Sequence, residues 1–340
     1  MTPNDDKLNQ ILKQVSRSFY LSIRILPTAM RDPVGIAYLL ARAADSVADN
    51  TQLAHQASAQ QHLQALLKLM SFQNPCCARE LSETLLPSIT NPAEKKLIRQ
   101  LPAIINHFFL LEEKDKRHVQ AVVTTLIQGM QMDLRIFNQR DHIVALQDQA
   151  ALEQYIYLVA GCVGEFWTKV AIDHLPAVSH WDKKNQSKLG IEFGKALQLT
   201  NILRDIAKDA RLGRCYLPDD GLSKHALNTR QLLDKNNHNL FQPLINEQIH
   251  LALQYFESAE SYLISTPRTA IRLRLASLWP ILIGLKTLSL IANKENFLDP
   301  EKNIKVHRKW VYRMLACSTC MIGSNTLVSR WIKQLKSAIP

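Results

Sequence analysis

The chain has 340 residues, of which 46% are hydrophobic and 21% are charged, and this composition excludes a disordered chain. Its formal net charge is +11, but no run of five or more basic residues occurs, which argues against a nucleic-acid binder. Six irregularly spaced cysteines and no recognisable signal peptide predict reduced thiols in the cytoplasm. Only 10 glycines occur, and long tracts of Leu, Ala, Gln, Lys and Glu predict an all-α protein.

The polar N-terminus predicts a short helix that ends near Val15. Residues 16–27 follow as an apolar segment with interspersed hydroxyl groups. Its serines, Ser16 and Ser18, either cap a helix or contribute to a polar site, and the pattern leaves both interpretations open.

The next predicted helix covers residues 34 to about 50, with a proline near its start. Four polar or amphipathic side chains follow each other at spacings of four, three and four, which places them on one helix face. They are Tyr38, Arg42, Asp45 and Asp49. Because such groups are costly to bury without partners and the other faces are nearly uncharged, we favour a functional face over a solvated one.

Residues 51 to about 118 are predicted to be helical and to contain no catalytic constellation. His107 and His118 are isolated, and we interpret them as hydrogen-bonded surface or core side chains rather than as ligands.

A helix over residues 152–170 then carries Tyr157 and a Gly161–Gly164 pair. The paired glycines allow another helix, or a long ligand, to approach the backbone. The phenol of Tyr157 calls for a buried hydrogen-bond acceptor.

The helix over residues 182–211 repeats the earlier pattern. Polar residues spaced by three, four and four again share one face: Gln198, Asn201, Asp205 and Asp209. Gly213 is predicted to end the helix, with Arg214 and Tyr216 in a loop beyond it. Paired acids on two distant helices, if they face each other, form an oxygen cage suited to Mg²⁺. Neighbouring arginines, including Arg204, suit a diphosphate bridged to that metal. Because Asp45 and Asp205 must converge to form such a site, the hypothesis requires both halves of the chain to belong to one domain.

Two later helices complete the chain. Residues 267–292 are apolar around most of the circumference, which is typical of the centre of a bundle or the wall of an apolar cavity, and Pro280 is expected to kink them. Residues 305–336 predict one basic amphipathic helix that packs on the bundle or touches a membrane surface. Within it, Cys317 and Cys320 are interpreted as packing residues. The longest apolar run, residues 278–285, is shorter than the ~20 residues of a spanning helix, which predicts a soluble or peripheral protein.

Four segments together resemble the squalene and phytoene synthase family, the head-to-head prenyl synthases. They are SRSF (16–19), YLLARAADSVAD (38–49), YLVAGCVGE (157–165) and QLTNILRDIAKDARLGRCYLP (198–218). The resemblance extends over about residues 16–313. It implies a single helical domain, here residues 1–340, around a central apolar cavity with both acidic motifs at its mouth.

The resemblance also implies roles for individual residues. Mg²⁺ would be held by Asp45, Asp49, Asp205 and Asp209. Catalysis would involve Tyr157, Arg42, Arg204, Asp45 and Asp205. Substrate would be contacted by Ser16, Ser18, Phe19, Tyr38, Gln198, Asn201, Arg214 and Tyr216.

The implied reaction joins two farnesyl diphosphates into presqualene diphosphate, which NADPH reduces to squalene. Phytoene or dehydrosqualene synthesis, which needs no reductant, is the alternative. The late apolar helix and the basic segment after it favour squalene. A non-catalytic assembly factor is a further alternative, although all four acids are present. We expect a cytoplasmic monomer or weak homodimer, with peripheral contact to the inner face of the cell membrane as an option.

Overall fold

The computed structural model describes residues 3–16, 19–49, 56–138, 142–294, 296–301 and 304–340. Within these ranges the protein is built almost entirely of helices, so the all-α prediction is confirmed. The chain divides into two compact units. The first comprises Met1–Asn138 and Lys169–Leu175, and the second comprises Gln139–Thr168 and Pro176–Pro340. The predicted extent of one domain over residues 1–340 stays a prediction.

The first unit is centred on the long helix α3, whose apolar residues pack against α4, α6, α7 and α8. The helices are α1 (Pro3–Val15), α2 (Phe19–Ile25), α3 (Thr28–Asp49), α4 (Gln56–Ser71), α5 (Pro75–Leu85), α6 (Pro92–Arg99), α7 (Leu101–Leu110) and α8 (Glu113–Ile136). The two isolated histidines are satisfied, as predicted. His107 Nδ1 lies 3.1 Å from the Ala103 carbonyl oxygen, and His118 Nε2 lies 2.8 Å from Asp173 Oδ2.

The second unit is centred on α11, which packs against α13, α14 and a π-helical turn. Its helices are α9 (Gln149–Ile156), the π-helical turn Tyr157–Gly161, α10 (Cys162–His174), α11 (Lys183–Arg211), α12 (Asp219–Lys224), α13 (His238–Ser265), α14 (Ile271–Ala292), α15 (Arg308–Met321) and α16 (Asn325–Lys336). The last residues of α10 belong to the first unit. Short 3₁₀ turns cover Leu86–Ser88, Pro176–Val178, Thr229–Leu233 and Lys235–Asn237.

Strong local signals set the ends of α11. Asp182 caps its N-terminus by accepting hydrogen bonds from the backbone N–H groups of Lys184 and Asn185, at 3.0 and 3.4 Å. Gly213 follows the other end with φ of 80°, a conformation that favours glycine, so its predicted role in ending the helix is confirmed.

Three helix predictions need correction. The helix expected to start at residue 34 starts at Thr28 and contains Pro33. The helix over residues 152–170 is interrupted by the π-helical turn. The basic helix over residues 305–336 is two helices, because Ser324 accepts the backbone N–H of Leu327 and caps a new start.

The loop predicted after Gly213 is also wrong, because it contains a β-strand. β1 (Val144–Leu146) and β2 (Arg214–Pro218) form a two-stranded parallel sheet, with Val144 opposite Arg214. The packing interpretation of Cys317 and Cys320 is contradicted as well, since both side chains are exposed.

Two helical stretches are long and apolar enough to cross a membrane by length and composition. In Gln149–His174, 44% of the most apolar window is buried inside the protein, and in α14 the value is 72%. The core helix of a soluble protein passes the same test, so this observation is weak evidence for a membrane span.

Candidate active site

The first acidic motif lies on α3, whose apolar residues, such as Leu39 and Leu40, are buried in the first unit. Tyr38 shares the polar face and donates its hydroxyl to the Val15 carbonyl at 3.2 Å. Ser16 is buried, and its hydroxyl donates to the Leu12 carbonyl at the end of α1. Tyr38 therefore connects the end of α1 to the first motif, whereas the Ser16 hydrogen bond stays within the end of α1.

Arg42 lies between two carboxylates. It forms ion pairs with Asp45, one turn along α3, and with Glu94 of α6 at 2.6 Å. Burial lowers the pKa of Arg42, but the charges of Asp45 and Glu94 more than offset this, so the net pKa is raised. The guanidinium is thus a fixed cation. Glu94, only 8% exposed, was missed by the sequence reasoning, which treated its segment as chemically quiet.

The surroundings of Asp45 disfavour the charged form of its carboxyl group. Burial raises its pKa from the ordinary 3.8 to about 6, the negative charge of Asp49 adds to the rise, and Arg42 opposes it. A divalent cation at Asp45 and Asp49 would offset the two causes that raise the pKa. Hard oxygen donors one helical turn apart are also ligands that Mg²⁺ accepts, so this donor set fits the metal.

The second acidic motif lies on α11. Arg204 donates from Nε to Asp205 Oδ1 at 3.0 Å and from a terminal nitrogen to Oδ2 at 2.5 Å. This two-point pairing fixes the carboxylate plane. Asp209 lies one turn further along the same face. Each motif therefore pairs an arginine with its first aspartate.

The remaining predicted residues of α11 and the segment beyond it occupy different environments. Gln198 and Asn201 are half-buried on the face that carries Asp205. Tyr216 is buried in β2, with its ring stacked on that of Tyr155 at a centroid distance of 4.8 Å. Arg214, half-buried, begins the same strand. The sheet fixes this segment, so it is not an open loop.

Tyr157 begins the π-helical turn, and its hydroxyl donates to Glu165 Oε2 at 3.4 Å. The expected acceptor for this phenol is therefore present. Burial raises the pKa of Tyr157, and the nearby negative charge of Glu165 adds to the rise, so the phenol stays protonated near neutral pH. Glu165 ends the sequence segment YLVAGCVGE but had no predicted role.

Close backbone contact joins α10 and the π-helical turn to α11. A Cβ on Gly190 would lie 2.6 Å from the Gly164 carbonyl oxygen, and one on Gly194 would overlap the backbone carbonyl of Ala160. Only glycine allows this approach. The prediction that Gly161 and Gly164 admit another helix is confirmed, and the helix they admit is α11, which carries the second acidic motif.

The structure does not address every predicted site residue. Ser18 and the side chain of Phe19 lie outside what the structure describes. In the described ranges no group of three or more His, Cys, Asp or Glu side chains forms a metal cluster. Asp45 and Asp49 belong to the first unit, and Asp205 and Asp209 to the second, so their convergence stays a prediction.

Comparison with known proteins places the chain in a family. Residues 12–310 match the model of Squalene/phytoene synthase. The chain is 30% identical to a bifunctional lycopene cyclase/phytoene synthase of Pyrenophora tritici-repentis over 77% of this chain and 42% of that protein. It is 31% identical to a presqualene diphosphate synthase of Zymomonas mobilis subsp. mobilis over 62% of this chain and 58% of that protein.

The chain thus spans about two fifths to three fifths of the length of these relatives. Among solved structures, TcSQS in complex with the ligand BPH1237 has the same fold, with a TM-score of 0.77, 19% identity and coverage of 99% of this chain and 98% of that one. Members of the matched family are prenyltransferases that condense isoprenoid chains head to head. The chain belongs to the squalene/phytoene synthase family.

Proposed function

We propose that this chain condenses two molecules of farnesyl diphosphate, with Mg²⁺, into presqualene diphosphate and reduces that product to squalene with NADPH. One observation carries the proposal. Each acidic motif pairs its first aspartate with an arginine, Arg42 with Asp45 and Arg204 with Asp205. Carboxylates held beside guanidinium groups suit a ligand that combines a divalent metal with a diphosphate.

Within each motif the two carboxylates, Asp45 with Asp49 and Asp205 with Asp209, would hold Mg²⁺. When bound there, Mg²⁺ would supply positive charge that stabilises the departing pyrophosphate. Arg42, kept in place by Glu94, and Arg204 donate hydrogen bonds to diphosphate oxygens and neutralise the charge that develops there.

We assign Tyr157 to the allylic cation that forms when the diphosphate departs. Its hydroxyl is directed to Glu165, so the phenol is oriented and stays neutral. An electron-rich, neutral ring can lie beside an allylic cation without capturing it as a nucleophile would. The π-helical turn packs against α11, and its half-buried apolar residues, such as Leu158 and Val159, would limit the access of water to an allylic cation there.

A second candidate product is phytoene or dehydrosqualene. It is favoured by the similarity to the bifunctional lycopene cyclase/phytoene synthase of Pyrenophora tritici-repentis. Both outcomes share the condensation to a cyclopropyl diphosphate and differ in the last step. Squalene requires hydride addition, whereas phytoene and dehydrosqualene form by proton loss.

The decisive experiment incubates the purified chain with farnesyl diphosphate and Mg²⁺, with and without NADPH, and analyses the extracted lipids by mass spectrometry. Squalene only with NADPH, and presqualene diphosphate without it, is the expected result. Dehydrosqualene in both reactions, or phytoene from geranylgeranyl diphosphate, would assign the chain to the second candidate. Asp205→Asn and chelation with EDTA should each abolish product. No product from either substrate would refute the proposed catalysis.

A further inference from the structure

The positive charge of this chain is concentrated near the C-terminus. Residues 302–340 contain eight Lys and Arg residues and no Asp or Glu, so they contribute +8 to the net charge of +11. The other 301 residues together contribute only +3. A charge asymmetry of this size indicates an anionic partner for the C-terminal segment.

The structure folds this segment into a hairpin of α15 and α16 that is fixed on α14. Trp279 of α14 donates its indole N–H to Ser318 at 2.8 Å. Arg274, also on α14, donates to the Ile322 carbonyl at 3.0 Å and to Asn325 Oδ1 at 2.7 Å, which holds the turn between the two helices. The inner face is therefore committed to the protein core, and only the outer face is available.

The outer face is basic and largely unneutralised. We define the basic face by its exposed cations, which are Arg308, Lys309, Arg313, Arg330 and Lys333. Within the described part of the chain, none of these five has a carboxylate oxygen within 4.0 Å. Lys336 does, since its ammonium group lies 3.1 Å from Glu260.

Apolar and hydroxyl groups accompany these cations. Tyr312 is 68% exposed and Leu327 is 40% exposed. Between α13 and α16 lies an open cleft of about 400 Å³, which is lined by Glu260, Thr326, Ser329, Arg330, Lys333 and Lys336. Cations beside hydroxyl donors match phosphate oxygens, and an exposed tyrosine and leucine among cations are typical of segments that lie in a bilayer interface.

We propose that the basic face docks this protein on a bilayer surface that contains anionic phospholipid. Charge complementarity selects the partner, because each cation near such a surface strengthens adsorption. The hairpin is already folded and fixed on α14, so docking requires no folding of the segment. Tyr312 and Leu327 add apolar area that enters the headgroup region. The proposal concerns adsorption alone and does not depend on the proposed function.

Vesicle flotation tests this proposal with the full chain. We expect binding to vesicles that contain 30% phosphatidylglycerol in phosphatidylcholine, little binding to phosphatidylcholine alone, and release at 0.5 M NaCl. The quadruple variant Lys309→Gln, Arg313→Gln, Arg330→Gln and Lys333→Gln should bind at least about 100-fold more weakly.

The matched control removes four exposed cations elsewhere and should retain most of the binding. Its substitutions, Arg79→Gln, Lys183→Gln, Lys184→Gln and Lys188→Gln, lie on α5 and α11. Equal loss in both variants, or equal binding to neutral vesicles, would overturn the proposal. Binding to duplex DNA but not to anionic vesicles at the same salt concentration would replace the membrane with nucleic acid as the partner.

A labelled cysteine gives a readout that does not depend on the variants. Cys317 and Cys320 are exposed on α15, and Cys76 and Cys77 are exposed on α5. An environment-sensitive fluorophore on the first pair, with the second pair changed to serine, should shift to the blue when anionic vesicles are added. The converse labelling should show no shift. A shift only from α5 would contradict docking through the basic face.

Discussion

The close contact between α10 and α11 allows one substitution to be predicted in detail. In Gly190→Ala the new Cβ would lie 2.6 Å from the Gly164 carbonyl oxygen and 2.8 Å from Thr168 Oγ1, whereas ordinary contact begins at 3.4 Å. The neighbouring backbone must therefore retreat by about 0.8 Å. Thr168 donates to Gly164 at 2.9 Å and is hydrogen-bonded to the Tyr262 hydroxyl at 3.1 Å, so both bonds are disturbed.

The expected loss of stability follows from these contacts. Overpacking costs about 2 kcal/mol, and two weakened hydrogen bonds cost about 1 kcal/mol each. The better helix propensity of alanine returns about 1 kcal/mol. We therefore expect Gly190→Ala to lower the free energy of unfolding by about 3 kcal/mol, or the melting temperature by about 5 °C.

Thermal unfolding followed by circular dichroism measures this effect. Gly35→Ala is the matched control, because Gly35 also lies inside a helix, but its Cβ would meet only Leu12 Cδ2, at 3.9 Å. That variant should be neutral or up to about 1 kcal/mol more stable than the wild type. If Gly190→Ala melted within 1 °C of Gly35→Ala, the argument from close contact would be refuted.

Other variants test other parts of the structure. Arg274→Met should cost about 3–5 kcal/mol, because it leaves buried carbonyl oxygens without a donor, whereas exposed Arg268→Met should change the melting temperature little. Glu94→Gln, which removes one of the two anionic partners of Arg42, should lower kcat/KM about tenfold to 100-fold at temperatures well below melting, and Glu94→Asp should restore part of it. Because the pKa of Asp45 is raised from 3.8 to about 6, the metal-free folded protein binds this proton more tightly than the unfolded chain, and its stability falls as the pH rises from about 4 to 6. In EDTA, the melting temperature of Asp45→Asn should therefore rise relative to that of the wild type between pH 4 and 6. At pH 7.5, Mg²⁺ should raise the melting temperature of the wild type more than that of the variant. Equal pH profiles of the two proteins would contradict this.

The sequence predicted those features that local periodicity determines. The positions of Asp45 and Asp49 on one face, and of Asp205 and Asp209 on another, follow from helical spacing alone. The break between α15 and α16 was missed, although Gly323 followed by Ser324 is a signal of a helix end and a new start.

Tertiary pairing is what the sequence did not reveal. Glu94 pairs with Arg42 although the two residues are 52 positions apart in the sequence. A glutamate in the first turn of a helix is common, because it interacts favourably with the helix dipole, so its position alone did not mark Glu94 as a site residue. The β2 strand was missed for the same reason, because its partner β1 lies far upstream and is only three residues long. Local patterns identify candidate residues, but their partners are set by long-range packing.

The π-helical turn Tyr157–Gly161 has a consequence for how the coding sequence tolerates change. A π turn is an α-helix that absorbs one extra residue locally, so the helices on either side of it keep their register. A one-codon deletion within the turn would let it close as ordinary α-helix, and Gly164 would keep its place against Gly190. The same deletion inside α10 would instead rotate every later residue of that helix by about 100° about the helix axis. This turn should therefore tolerate a single in-frame deletion better than the regular helix that follows it.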